Sequence, residues 1–331
     1  MNGRKSWLRL GSIILMLAAL TVLPVWTVRS SRQSSHAKTV IAIAKTRDFS
    51  VAFWAALKNG MEEAGREFGV DVDYRAPISE SDVDGQIVLL DQAIAEAPDA
   101  ILLAANDRQR LLEPVLRAKN AGIPVIMFDS SIDYDADVPF VTLVATDNIK
   151  AGQLLAETIL TDVAPGSKVA IMSHNVNTTS GSDRESGIRR VIDASYQVLP
   201  TIDCAGSRAR AVREATGLLQ NDALAAVVCT NEYTVSAMLE AMKAMPRTDL
   251  VLVGFDTSYE MMDALEMGTL GATVIQRAFN MGYLAVDKAV QHLNGQALDL
   301  FYDSTSALIT REVMYAEENA KLLFPFSQGS D

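Results

Sequence analysis

The chain has 331 residues, 49% of them hydrophobic, and carries 41 acidic against 29 basic side chains, for a formal net charge of −12. A chain of this length buries a large core and exceeds the usual size of one domain, so two lobes are expected. An acidic surface repels phosphate backbones, which argues against nucleic acid as a partner.

The first 37 residues have the pattern of an export signal or a membrane anchor. Basic side chains precede an apolar stretch over residues 10–28, close to the roughly 20 residues that cross a bilayer. Cleavage at a small-x-small site formed by Ser35 and Ala37 and retention as an uncleaved anchor both stay open. In either case the remaining chain is exported, to the periplasm or the outer face of the cytoplasmic membrane, and it contacts the membrane only through this segment.

From Thr39 onward, short β-branched runs alternate with amphipathic segments, the pattern of βαβ units and a parallel sheet. We therefore predict an α/β fold with two doubly wound parallel-sheet lobes, the second beginning near residue 146. The predicted strands cover residues 40–44, a run starting near 70, then 100–104, 125–128, 141–144, 169–172, 197–202, 225–229, 250–254 and 272–275. The predicted helices include residues 53–68, 82–96, 108–121 and 148–160.

Polar side chains follow many of the predicted strands. In open α/β sheets, ligands bind outside the carboxyl ends of the strands. Two lobes that face each other through these edges would enclose a ligand cleft. The polar strand ends are residues 45–48, 106–107, 129–130, 231–232, 256–257 and 276–277.

The sequence offers no constellation for catalysis or metal binding. Its three histidines lie far apart, and Cys204 and Cys229 have no metal-ligand spacing. The acidic loop with Asp133, Asp135 and Asp137 lacks the glycine and glutamate of a calcium loop. We expect no enzymatic activity, metal or cofactor. The two cysteines are expected to be small buried side chains, with a single disulfide between them as the open alternative.

Seven short segments occur in an order and spacing typical of one protein family. They are FWAALKNG at 53–60, GIPVI at 122–126, TDN at 146–148, RESGI at 184–188, TNE at 230–232, VGFD at 253–256 and ATVIQ at 272–276. With them, the chain resembles the ribose-type periplasmic sugar-binding proteins of the type I fold, which is shared with the effector domains of lactose-repressor-like regulators. The resemblance covers the chain from residue 39 to about 317.

This resemblance implies two lobes joined by a hinge. We expect three crossings, near residues 145, 277 and 303, because the last helix before Gly295 should return to the first lobe. Lobe 1 then comprises residues 38–145 plus 277–303, and lobe 2 comprises residues 146–276 plus 304–331.

The resemblance also implies ligand-binding roles for two aromatics and two carboxylates. Phe53 and Trp54 match paired aromatics whose flat faces stack on a sugar ring. Asp129 and Asp256 match carboxylates, one from each lobe, that accept hydrogen bonds from hydroxyls. From the residues alone, the aromatics could be core and the carboxylates could cap the following helices, and these alternatives stay open.

Three further residues are implied in binding by the same resemblance. Arg184 matches a cationic donor, and Asn231 and Gln276 match amides that both donate and accept. This mixture suits a neutral polyol, since charge-assisted bonds to hydroxyls are the stronger kind. For Arg184, a surface ion pair with Glu185 or Asp183 stays open as the alternative.

The chain departs from the ribose-type pattern at positions that affect specificity. Val51 and Ser130 stand where that pattern has Asn and Arg, so ribose itself is not expected. A phenylalanine of the second lobe corresponds to a position near Gly206, which would enlarge the pocket. We expect Arg47 and Asp48 to supply some of the missing polar contacts.

The predicted function is that of an extracytoplasmic solute-binding protein. It would recognise a sugar or sugar-like polyol by hinge closure and deliver it to the permease of an ABC-type importer. The alternative is a membrane-tethered sensor that presents its closed form to a chemoreceptor or sensor kinase. An intracellular repressor is disfavoured because the N-terminus is apolar and has no helix-turn-helix.

Overall fold

A computed structural model describes residues 38–323, of which residues 39–323 lie within one compact unit of the chain. Its strands are β1 Thr39–Ile43, β2 Asp71–Arg75, β3 Ala100–Leu103, β4 Val125–Phe128, β5 Thr142–Ala145, β6 Lys168–Ser173, β7 Gln197–Val198, β8 Ile202–Asp203, β9 Leu224–Cys229, β10 Val251–Phe255, β11 Ala272–Gln276, β12 Phe301–Asp303 and β13 Ser306–Thr310. Its helices are α1 Ala52–Phe68, α2 Val83–Glu96, α3 Leu112–Asn120, α4 Asn148–Glu157, α5 Ile159–Asp162, α6 Thr179–Ile192, α7 Arg208–Leu219, α8 Glu232–Ala244, α9 Tyr259–Met267, α10 Ala278–Leu293 and α11 Glu317–Leu323.

The strands form two separate sheets. The first is six-stranded and parallel, in the order β12-β5-β4-β3-β1-β2. The second has the order β13-β11-β10-β9-β6-β7, with β8 also paired to β6, and only β13 runs antiparallel to its neighbour. We call the first sheet with its helices lobe 1 and the second sheet with its helices lobe 2.

Each sheet carries an apolar core on both faces because successive strand residues point in opposite directions. In β1, Val40 and Ala42 pack into one core cluster, whereas Ile41 and Ile43 pack into another. The second sheet is likewise covered by two clusters. This two-sided burial explains the near-continuous apolar runs of the strands, and it confirms the predicted fold class of two doubly wound lobes.

The chain passes between the two sheets at three places. These are the connections from β5 to α4, from β11 to α10, and from β12 to β13. Helix α10 packs on α1 and on strands of the first sheet, so the chain returns to lobe 1 before β12. The exact lobe boundaries and the bending of these connections stay predictions.

One predicted strand is wrong in extent. The run over residues 197–202 forms two short strands, β7 and β8, rather than one. Pro200 lies between them, and proline has no backbone N–H with which to continue a ladder. Both short strands still pair with β6.

Two predicted helices also differ from the structure. The helix expected from residue 108 begins at Leu112, because the Asp107 carboxylate accepts two backbone N–H groups and holds a turn there. The helix expected over residues 148–160 ends at Glu157 and is followed by α5. At the break, the Thr158 hydroxyl donates to the Leu155 carbonyl at 2.6 Å, a side-chain bond that competes with helical pairing.

Glycines let one helix pair in each lobe approach closely. A Cβ atom at Gly60 of α1 would overlap the carbonyl oxygen of Phe279 in α10, and one at Gly282 of α10 would overlap that of Leu57. Helices α4 and α6 of lobe 2 meet in the same way through Gly152 and Gly187. The contact between α1 and α10 fixes the position of α1, whose first turn carries the predicted aromatic pair.

Replacing Gly60 with alanine is therefore expected to destabilise the protein by about 1–3 kcal/mol, the usual cost of overpacking. The control is Gly217→Ala in α7, where an added Cβ meets nothing within 4 Å and should stabilise by about 0.4–1 kcal/mol. Urea unfolding midpoints compare the two variants. Equal midpoints would show that α1 and α10 can separate without cost.

Among residues 38–323, no helix has both the length and the apolar character that a bilayer crossing requires. The apolar stretch predicted as an export signal or anchor, residues 10–28, lies outside the described residues.

Candidate functional site

A cavity with an empty volume of about 400 Å³ lies between the two lobes, at the carboxyl ends of their parallel strands. The structure brings all seven sequence-predicted residues to its wall: Phe53, Trp54, Asp129, Arg184, Asn231, Asp256 and Gln276. The other lining residues are Lys45, Val51, Glu80, His174, Ser180, Glu232 and Tyr233.

The two predicted carboxylates directly follow β4 and β10 and have unusual backbones. Asp129 and Asp256 have φ angles of 56° and 68°, in the left-handed region that costs a non-glycine residue free energy. Helix capping is the wrong interpretation for Asp256, since Ser258 caps α9, and no described helix begins at Asp129. The Asp256 carboxylate instead accepts a 2.7 Å bond from Gln276 Nε2. Strained residues of this kind cluster at functional sites.

Lys45 is a site residue that the sequence analysis placed among the polar strand ends but not among the seven residues with predicted ligand-binding roles. Its Nζ lies 2.6 Å from Asp129 Oδ2, and both side chains are at most 5% exposed. The same Nζ donates to Ser180 Oγ of lobe 2 at 3.1 Å. Arg47 and Asp48, which were expected to reach the pocket, are exposed and do not line it. That expectation was wrong because the chain turns toward solvent after Thr46, which is still buried.

Arg184 is buried rather than on the surface, at 2% exposure. It donates to Asn148 Oδ1 at 2.8 Å and to the Thr230 carbonyl at 2.7 Å. Its guanidinium also lies 4.4 Å from the centroid of the Phe255 ring, a cation–π contact. The alternative of a surface ion pair is therefore wrong, and Arg184 is a fixed cation at the floor of lobe 2.

The aromatic pair serves both the core and the cavity. Phe53 and Trp54 meet edge to face, with centroids 4.9 Å apart. Trp54 is 3% exposed and packs into lobe 1, and its Nε1–H donates to Glu80 Oε1 at 3.2 Å. Glu80, from the loop before α2, was not predicted. Burial raises the pKa of its carboxyl, and nearby Lys45 partly opposes that shift.

The predicted amides are already partly engaged. The Asn231 side chain caps α8 and takes part in a capping box with Thr234. Gln276 donates to Asp256 and accepts from the Thr146 hydroxyl at 3.1 Å. Both residues therefore hold the wall of the cavity in shape while presenting their remaining polar groups to it.

His174 and Tyr233 were also missed. The His174 ring lies 2.9 Å from the Thr230 hydroxyl, and Tyr233 donates to the His174 carbonyl at 3.1 Å. Burial, followed by the charge of Arg184, lowers the pKa of His174 well below its usual value. This histidine is therefore a neutral wall group. His174 directly follows β6, so the strand-end rule applied to that strand would have found it.

Gly206 does not line the cavity, so the expected enlargement there is wrong. Its backbone packs on the loop of lobe 1 that carries Glu80, where an added Cβ would lie 3.0 Å from the Ser81 nitrogen. That loop occupies the space which a larger side chain would otherwise fill.

Cys204 and Cys229 are buried free thiols in the core of lobe 2. The alternative of a disulfide between them is not realised in this structure. Burial raises the pKa of the Cys204 thiol to about 12, so it is not a reactive thiolate.

The acidic loop makes surface ion pairs. Asp133 lies 3.5 Å from Arg108, and Asp137 lies 2.9 Å from Lys119. Within the described part of the chain, no group of three or more His, Cys, Asp or Glu side chains is arranged to hold a metal.

A larger groove of about 900 Å³ borders the cavity and shares Phe53, Asp256 and Gln276 with it. Its surface is mostly apolar. The charged groups of both lobes therefore converge on the smaller cavity.

Comparison with known proteins places this geometry in context. The sequence matches the family described as periplasmic binding protein domain over residues 46–297. It is 26% identical over 286 residues to the ribose import binding protein of Bacillus subtilis, covering 86% of this chain and 91% of that protein. It is 29% identical over 245 residues to the D-allose-binding periplasmic protein of Escherichia coli, covering 71% and 79%.

Solved structures of solute-binding and sugar-transport proteins also match the fold of this chain. An ABC transporter solute-binding protein from Agrobacterium vitis with bound D-fucose matches with a TM-score of 0.82 and 29% identity, over 86% of this chain and 99% of that one. A sugar transporter from Clostridium phytofermentans matches with a TM-score of 0.75 and 32% identity, over 82% and 98%.

Proposed function

The chain belongs to the family of periplasmic binding protein domains, and from this premise we propose that it binds a monosaccharide or sugar-like polyol and delivers it to an ABC-type importer. Membership in this family implies an extracytoplasmic location. The names of the relatives support the ligand class, since they bind ribose, allose and, in a solved structure, D-fucose.

The single observation that carries the proposal is the composition of the cavity between the lobes. An aromatic face, from Phe53 and Trp54, stands beside groups that donate and groups that accept hydrogen bonds. A sugar ring presents an apolar C–H face and hydroxyls that both donate and accept, so it matches each kind of group. The seven sequence-predicted residues, together with Lys45 and Glu80, form the proposed binding set.

Closure of the two lobes is the proposed binding mechanism. Besides the contact of Lys45 with Ser180, the Ser131 backbone N–H donates to the Thr179 hydroxyl of lobe 2 at 2.8 Å. The Arg108 backbone N–H donates to the Asn177 carbonyl at 2.9 Å. A ligand that touches both walls favours this closed arrangement over an open one, and it shifts the population by its difference in affinity.

Ribose itself is not the expected ligand. Val51 lines the cavity with an apolar side chain. The Ser130 hydroxyl lies 3.1 Å from the Ser180 hydroxyl of lobe 2, so Ser130 is engaged in a contact between the lobes. Neither position offers the polar contact of the ribose-type pattern.

A ligand screen by thermal shift and calorimetry tests the proposal. Pentoses, hexoses, polyols, nucleosides and amino acids are added to the purified protein. A true ligand at one thousand times its dissociation constant should stabilise by about 4 kcal/mol, a shift of several degrees. Asp256→Ala should abolish the shift, whereas Asp263→Ala, which replaces an exposed side chain of α9, should retain it. Stabilisation by a nucleoside or an amino acid and by no sugar would overturn the ligand class.

The sensory alternative has no comparable support. It depends on a permanent anchor at residues 10–28, which lie outside the described residues, and the relatives named above are transport proteins or binding proteins. We propose binding without catalysis, as the family membership implies.

A further inference from the structure

The cavity contains more carboxylates than cations. Among the described residues that line it, the carboxylates are Glu80, Asp129, Glu232 and Asp256, whereas the cations are Lys45 and Arg184. If all six were ionised, the enclosed wall would carry a net charge of −2, from four negative and two positive groups. Burying an uncompensated charge is costly, so the excess requires an explanation.

Both cations are already engaged. Lys45 lies against Asp129 at 2.6 Å and donates to Ser180. Arg184 donates to Asn148 and to the Thr230 carbonyl. Two of the other carboxylates accept hydrogen bonds from neutral groups only. Glu80 accepts from Trp54, and Asp256 accepts from Gln276.

Glu232 is the carboxylate that stands out. It is the first residue of α8 and is 9% exposed. Its Oε2 atom is buried and has no hydrogen-bond partner within residues 38–323. A buried acceptor without a partner costs about as much free energy as a lost hydrogen bond, and a group that lines a cavity can regain that bond from a ligand.

The surroundings of Glu232 contain little positive charge. From the loop before α1 it faces Asp48, and from the end of β10 it faces Asp256. The start of α1 contributes the backbone N–H of Ala52, and α7 contributes Arg208. Arg208 is an exposed side chain that lies 3.8 Å from Glu240, so it does not neutralise the buried carboxylate.

Resting on the proposed sugar-binding function, we infer that the ligand carries a protonated amino group and that Glu232 is the specificity-determining residue that receives it. An ammonium donor would supply the partner that Oε2 lacks and would balance the negative charge that Glu232 carries once it is ionised. Charge-assisted bonds of this kind are stronger than neutral ones. The chemical class is an amino sugar or an amino cyclitol.

The ionisation of Glu232 gives the proposal a pH signature. Burial first, and then the charge of Asp256, raises its pKa from 4.5 to about 8. The unliganded side chain therefore holds a proton up to about pH 8, and an ammonium ligand favours the ionised form. Binding then releases that proton, so affinity should rise with pH between 5.5 and 7, by up to tenfold per pH unit. A neutral sugar should show no such rise.

Calorimetry with the purified protein tests the inference. The probes are D-glucosamine, D-galactosamine and 3-amino-3-deoxy-D-glucose, each with its neutral parent sugar, and the aminocyclitol streptamine. An amino sugar is expected to bind about 10- to 100-fold more tightly than its parent at pH 7. Glu232→Gln should remove both that preference and the pH dependence, each measured as the ratio of amino-sugar to parent-sugar affinity within the same variant. The matched control is Glu240→Gln, an exposed glutamate on the same helix, which should change neither.

The outcomes separate this inference from the proposed function. Tighter binding of neutral sugars than of amino sugars in the unmodified protein, or a preference unchanged in Glu232→Gln, would overturn the role of Glu232 and leave sugar binding in place. Failure of all amino sugars and all neutral sugars to bind would overturn both.

Discussion

Replacing Arg184 with methionine is expected to destabilise the protein by about 3 kcal/mol and to weaken sugar binding by about 100-fold. Methionine keeps the bulk of the side chain but leaves Asn148 Oδ1 and the Thr230 carbonyl without their donors, and each unsatisfied buried group costs about 1–3 kcal/mol. The cation–π contact with Phe255 is lost as well. All three partners belong to lobe 2, so opening of the lobes does not relieve the loss.

Arg190→Met provides the control for this prediction. Arg190 lies on the same helix and is exposed, so its replacement should leave both stability and affinity within about 0.5 kcal/mol of the unmodified protein. Arg184→Lys separates charge from geometry, because lysine cannot reach two acceptors with a planar fork. Urea unfolding gives the stability and calorimetry gives the affinity. An unchanged affinity in Arg184→Met would remove Arg184 from the proposed binding set.

Much of the fold and the strand-end residues of the cavity were predictable from local sequence rules, whereas Phe53, Trp54 and Arg184 were predicted only through the family resemblance. Short β-branched runs alternate with amphipathic helices, and this pattern specifies parallel sheets covered on both faces. Residues such as Asp129 and Asp256 directly follow predicted strands, and all carboxyl ends of a parallel sheet lie along one edge. Their convergence therefore required only the correct order of strands and a second lobe facing the first.

Residues whose position depends on loops or on cross-lobe contacts could not be found in this way. Glu80 lies on the loop between β2 and α2, and only the tertiary structure brings it to Trp54. The partner of Lys45 is likewise 84 residues away in sequence, since Asp129 follows a different strand. Periodicity identifies which face of an element is buried, but it carries no information about which polar groups of two lobes will meet.

The last prediction concerns the buried ion pair of Lys45 and Asp129. Lys45→Met is expected to disfavour the closed form by about 3–5 kcal/mol, because it leaves the Asp129 carboxylate buried without its counter-charge. Opening of the lobes would let water reach that carboxylate, so the free energy of unfolding should change by less than about 1 kcal/mol. Sugar affinity should fall by about two to three orders of magnitude, since binding requires closure.

The double variant Lys45→Met with Asp129→Leu tests the origin of that effect. Replacing both partners by apolar side chains removes the unpaired charge and is often neutral or stabilising. The double variant should therefore close as readily as the unmodified protein when no sugar is present, while sugar binding stays weak because Lys45 and Asp129, two polar groups of the proposed binding set, are gone. Small-angle scattering with and without sugar reports closure, and urea unfolding reports stability. A loss of 3–5 kcal/mol in the unfolding free energy of Lys45→Met alone would show that lobe 1 buries the pair in both forms, and hinge closure would then not depend on it.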